Sequence, residues 1–118
     1  ETMKWEGEGG QQHVNLIGDP SKPGPYIRLA KWLPGNMSRP HYHSTTRHFY
    51  IASGTWWVGS SGTYDPAKTY PMRAGTFVTH YAGKAHFDGA KDEPGVLFEV
   101  GVGPIMSTPC KQPSDCPQ

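Results

Sequence analysis

Short apolar blocks separated by turn-forming residues run the length of this chain, and none of them sustains the spacing of an amphipathic helix. His13-Val-Asn-Leu-Ile17 reads as a first strand, ended by the proline- and glycine-rich run from Gly18 to Pro25. Tyr26 to Leu33 reads as a strand with apolar residues on both faces, stopped by Pro34-Gly35. Pro40 to His43 makes a short strand, and Ser44-Thr-Thr46 its turn. Arg47 to Ser53 is rich in aromatic and β-branched residues, Gly54 marks a break, and Thr55 to Val58 follows. Beyond the loop from Gly59 to Pro66 come Thr69–Arg73, Gly75–His80, Lys84–Asp88 and Val96–Val102. About eight short strands at this spacing predict an all-β sandwich or barrel in one domain. The expected organisation is an N-terminal arm over 1–12, a barrel over 13–106 and a tail over 107–118.

Composition agrees. The 15 glycines and 12 prolines are spread along 118 residues that also hold 4 Trp, 6 Tyr and 4 Phe, and a disordered chain would rarely carry so many aromatics. A formal net charge of +1 gives no basis for nucleic acid or an anionic membrane as partner. No apolar run reaches the length of a transmembrane helix. The two cysteines, Cys110 and Cys116, lie in a tail that Pro109, Pro113 and Pro117 keep from forming a regular helix or central strand. They are expected either to close a small disulfide loop or to remain free thiols. The sequence starts without Met, as a mature secreted or periplasmic protein would after signal removal, and as a trimmed chain also would.

Chemistry concentrates at His41 and His43, which sit at i and i+2 and so leave the same face of a strand. A metal needs that convergence, since its ligands approach one point at about 2 Å. The spacing Gly35-x5-His41-x-His43-x3-Arg47-x6-Gly54 resembles the first motif of the cupin superfamily, in which Arg47 stands at the family's Glu. Gly75-x5-Tyr81-x-Gly83-x2-His86-x3-Ala90 resembles the second, with Tyr81 at the family's Pro and Ala90 at its Asn. The resemblance implies a jelly-roll barrel (a double-stranded β-helix), with His41, His43 and His86 pointing inward to a metal, and a homodimer.

Arg47 is the departure that matters. A guanidinium keeps its proton and cannot ligate a metal. Arg47 is therefore expected to turn away, to pair with a carboxylate such as Asp88 or Glu99, or to meet an anionic ligand. His48 follows it in sequence and should leave the opposite face unless a bulge intervenes, so it is a weaker ligand candidate. His80 is a candidate proton donor at the pocket rim. His13 carries no expectation beyond ordinary packing. Of Trp56 and Trp57, one should face in and one out.

Iron oxygenases commonly use two His and a carboxylate, whereas an all-imidazole set suits copper and zinc best, with nickel and iron as further options. Copper activates peroxide or O2, and zinc activates water. The short chain, three histidines, absent motif Glu and dense aromatics resemble compact secreted mono-copper cupins that cleave cellulose oxidatively. That likeness implies copper on His41, His43 and His86, a polysaccharide substrate cut at a chain end, and Tyr42, Tyr81 or His80 handling protons or electrons. Two alternatives stand beside it. One is a small-molecule dioxygenase using three-His iron on a diketone-like or phenolic substrate, with a deep pocket lined by Phe49, Ile51, Phe77 and Phe98. The other is a non-enzymatic metal- or ligand-binding module.

Overall fold

A computed structural model describes residues 3–7 and 9–117. The described residues form ten strands: β1 (Gln11–Ile17), β2 (Gly24–Trp32), β3 (Asn36–Met37), β4 (His41–His43), β5 (Arg47–Gly59), β6 (Tyr70–Arg73), β7 (Phe77–His80), β8 (Phe87–Ala90), β9 (Gly95–Gly103) and β10 (Ser107–Pro109). Among the described residues the helical content is two 3-10 turns, Pro66–Lys68 and Pro113–Asp115, so no helix is long and apolar enough to cross a membrane. The chain is a single-domain, all-β cupin jelly roll.

β5 closes the barrel because it belongs to both halves. Its first part pairs with β7 and β9, and its second part with β6 and β8, all antiparallel. The order β1-β2-β9-β5-β8-β3 runs from one half into the other, with β6 and β7 also held on β5. Gly54, expected to end a strand, instead lies within this one. The register slips between Ile51 and Ser53, and Gly54 takes φ +71°, bending the strand without terminating it. A Cβ there would collide with the Pro94 carbonyl oxygen, so only glycine lets the two strands approach.

The period-two pattern sets what faces inward. Arg47, Phe49 and Ile51 are buried along β5, with exposed His48 and Tyr50 between them. Beyond the bulge the buried set resumes with Trp56 and Val58, joined by Ala30, Trp32, Ala90 and Leu97 in one apolar core. Trp56 is 1% exposed, while the Lys91 ammonium sits 4.0 Å from the Trp57 ring centroid.

Both ends of the expected domain division shift. Gln11 and Gln12, assigned to the arm, open β1 by pairing with Trp32 and Lys31, because the edge of β2 offers them a ladder. Glu6 already bonds to His13 through the backbone in both directions. Ser107–Pro109, assigned to the tail, pairs with His43, Tyr42 and His41 as β10. The tail is closed by a Cys110–Cys116 disulfide. Residues 1, 2 and 8 of the expected arm and 118 of the tail lie outside the described residues.

Candidate metal centre

Two short strands and a turn bring three histidines together. His41 and His43 leave β4 on one face, and β10 holds that strand in place from its other edge. β7 ends at His80, and the turn Tyr81-Ala-Gly-Lys84 reverses the chain with Gly83 at φ +77°. That is the position a type II turn reserves for glycine. The Gly83 N–H donates to the His43 carbonyl at 2.9 Å, tying the turn to β4. His86 then meets His41 across a two-way backbone bridge of 3.0 and 2.9 Å. The ring centroids of His41, His43 and His86 lie 4.3 to 5.3 Å apart, and one nitrogen from each ring lies within 4.8 Å of the others. A tetrahedral ion at about 2.0 Å would draw such atoms to about 3.3 Å.

Hydrogen bonds fix the tautomers. His41 Nδ1 donates to the Arg39 carbonyl at 2.7 Å, and His86 Nδ1 faces the Lys84 carbonyl at 3.4 Å. A carbonyl only accepts, so Nε2 of both rings keeps its lone pair for a metal. Burial, followed by the Arg47 guanidinium, pushes the His43 imidazole down to about 2. Burial pushes His86 down to about 4 despite the opposing pull of Asp88. Neutral imidazole is the form that ligates.

Arg47 does not turn away. It is 5% exposed, with Nη1 3.4 Å from Glu99 Oε2, and Nη2 2.8 Å from His43 Nδ1 and 3.5 Å from His86 Nε2. Because Nη2 only donates, His43 Nδ1 accepts and the proton of this ring sits on Nε2. A metal on either nitrogen of His43 therefore displaces this contact. Nδ1 is the atom Arg47 holds, and Nε2 has a lone pair only when Nδ1 carries the proton.

Neither nearby carboxylate is free to ligate. Glu99, 2% exposed, accepts from Arg28 Nε at 2.9 Å and from the Tyr26 hydroxyl at 2.5 Å. Burial alone would raise its carboxyl, but the Arg28 and Arg47 guanidiniums and these hydrogen bonds hold it below the usual range. Asp88 accepts from the Ser38 hydroxyl at 2.8 Å and from the Trp56 indole at 3.0 Å. The donor set fits a metal through nitrogen alone.

The other candidates separate. His80 is not in the triad: its ring centroid lies 4.0 Å from that of His86, and both its nitrogens are buried without a partner. Burial, with His86 next, lowers it to about 2. It lines an outer cavity of about 590 Å³ with Tyr81, Lys84, His86 and the disulfide tail. Tyr81 is 64% exposed at that rim. Tyr42 corrects its expected role. It lies between His41 and His43 on β4, so the strand period sends it to the other face, and it does not line the cavities at the histidine cluster. His48 is exposed, bonds to Thr79 Oγ1 at 3.0 Å and stacks on Phe77, away from the triad.

On the inner side of the triad, a cavity of about 520 Å³ enters the barrel between Trp32, Phe49, Trp56 and Leu97. Of the residues expected to line a deep pocket, Phe49 does. Ile51 is fully buried in the core, Phe77 is 65% exposed on the outside, and Phe98 alternates with the inward Leu97 and Glu99. Arg28 and Glu99, on facing positions of β2 and β9, line this cavity too and had no signal in the motif spacing.

No protein-family profile matches the chain, and no curated protein does. Solved structures do resemble it. A cupin-like protein from Thermotoga maritima superposes with TM-score 0.69 at 17% identity, covering 92% of this chain and 83% of that one. The polyketide cyclase RemF from Streptomyces resistomycificus gives 0.67 at 20%, covering 94% and 76%. Salicylate 1,2-dioxygenase from Pseudaminobacter salicylatoxidans gives 0.69 at 13%, where 89% of this chain spans 32% of that one. At these identities the likeness is one of fold.

Proposed function

We propose that this chain is a metal-dependent oxidoreductase in which His41, His43 and His86 hold one ion, with copper as the first choice. The observation that carries this reading is the convergence of three imidazoles while Asp88 and Glu99 stay committed to hydrogen bonds. A nitrogen-only set favours copper or zinc over an ion balanced by carboxylate. When bound, copper supplies activation of peroxide or O2. The substrate we assign is cellulose or a related polysaccharide, met at a chain end; this reading calls for an open, shallow mouth at the histidines, whereas a deep barrel pocket is what the small-molecule alternative calls for. In this reading Tyr81, exposed at the outer rim, exchanges protons or electrons with solvent, and His80, its ring nitrogens buried, acts from beside His86. Secretion and a homodimer complete the proposal.

A small-molecule reading is favoured by one observation. The inner cavity is walled by Phe49, Trp32 and Trp56, which suit a compact ring as well as a sugar. The test is peroxide consumption by copper-loaded protein with and without cellulose, with soluble products read by mass spectrometry. Oxidised sugars that vanish in His86→Ala support the reading. Peroxide turnover without sugar release moves the substrate to a small molecule, and no turnover in either case makes the chain a binder.

A further inference from the structure

The inner cavity holds more positive charge and more unused donors than its own carboxylates satisfy. Arg28, Arg39 and Arg47 line it against Asp88 and Glu99. Glu99 is shared between two guanidiniums, and the nearer contact is to Arg28 at 2.9 Å, leaving Arg47 at 3.4 Å. The Arg47 Nε–H is buried with no partner, and so is the Trp32 indole N–H. Both side chains are more than nine-tenths buried, at 5% and 6% exposure. The Arg47 guanidinium lies over the Phe49 ring, 4.9 Å from ring centroid to Cζ. A buried donor without an acceptor is destabilising, and more so when charged. A planar fork of N–H groups is matched best by a carboxylate, which accepts two parallel bonds.

We propose that Arg47, with Trp32, forms a carboxylate-binding subsite in the inner cavity, so that the substrate carries a carboxylate presented next to the three histidines. This rests on the cavity being the substrate site, and narrows its chemical class from neutral cellulose to an acidic polysaccharide or an organic acid. A carboxylate against Arg47 also gives the guanidinium an acceptor other than His43 Nδ1, which frees that imidazole to change tautomer. The same group can come from a free organic acid or from an acidic sugar.

The test uses metal-free protein, so that it stands or falls apart from copper chemistry. Binding of benzoate is compared with that of benzamide, its neutral counterpart, and D-glucuronate with methyl glucoside, by quenching of tryptophan fluorescence. At least one anion should bind about tenfold or more tightly than its neutral partner. That preference should disappear in Arg47→Gln/Glu99→Gln, which removes both charges together. The pair with the larger Arg47-dependent preference names the source, organic acid or sugar acid. In case the variant fails to fold, the Arg47 Nε–H resonance of ¹⁵N-labelled wild type is followed and should move on adding the anion and not the neutral probe. Equal binding of anion and neutral probe, no binding of any probe, a preference that survives the double variant, or an unmoved Nε–H resonance overturns the proposal. Absence of a metal in the separate titration would sink the oxidoreductase reading and leave this result intact.

Discussion

Replacing Arg47 by Gln should tighten metal binding, against the usual rule that mutating a buried site residue weakens it. Nη2 is 3.5 Å from His86 Nε2. An ion bonded to that nitrogen at about 2 Å lies at most about 5.5 Å from the guanidinium, and at an effective dielectric near 20 a dication is repelled by about 6 kcal/mol. Glu99 returns part of this. Its Oε2 sits 3.4 Å behind Nη1. At roughly 8 Å from the ion it attracts by about 4 kcal/mol. The pair together therefore opposes the metal by about 2 kcal/mol, or roughly 30-fold. Arg47→Gln should tighten Zn²⁺ by more than Arg47→Gln/Glu99→Gln, and the double variant by about 30-fold over wild type. Competition with a chromophoric chelator measures both, with circular dichroism confirming the fold. Unchanged or weaker affinity in both folded variants would mean that Arg47 does not face the ion, and the electrostatic reasoning fails.

Three other predictions concern stability. In metal-free protein, His80 and His86 are depressed to about 2 and about 4 against about 6.5 in the unfolded chain, so unfolding takes up protons as the pH falls. Their contribution is complete above about pH 6.5 and lost progressively below it, about 2 kcal/mol each by pH 5; equal urea midpoints at pH 8 and pH 5 would contradict this. Glu99→Gln leaves the buried Arg47 and the part-buried Arg28 guanidiniums uncompensated and should cost about 3–5 kcal/mol by urea denaturation, with partial recovery when Arg47→Gln is added. Cys110→Ser removes a short loop closure worth about 2 kcal/mol and should also weaken metal binding, because β10 braces the strand bearing His41 and His43; an unchanged Zn²⁺ affinity would show that the brace is dispensable.

Much of this was legible in local pattern. The i, i+2 spacing of His41 and His43 needs only the strand period to put both rings on one face, and the same period sends His48 outward. Trp56 and Trp57 divide for the same reason. Gly54 misled because a glycine among strand residues reads as a stop, whereas its value here is tolerance of the Pro94 carbonyl just ahead of β9, a contact 40 residues away in sequence. Tyr42 was drawn toward the site by its place between His41 and His43, although that same place sends it to the other face. The cysteine-rich tail looked detached because its prolines forbid a central strand, yet three residues suffice for an edge ladder on β4. Arg47 was the hardest. Its sequence position excluded ligation but could not show that Glu99 would hold only one edge of the guanidinium, leaving the other on His43.

The most direct test of the metal centre is elemental analysis of protein purified without added metal, followed by copper titration watched by electron paramagnetic resonance. The account predicts one tightly held copper per chain whose signal carries nitrogen couplings that are lost in His41→Ala, in His43→Ala and in His86→Ala. A protein that takes up no metal, or one whose copper signal is indifferent to all three substitutions, would contradict it.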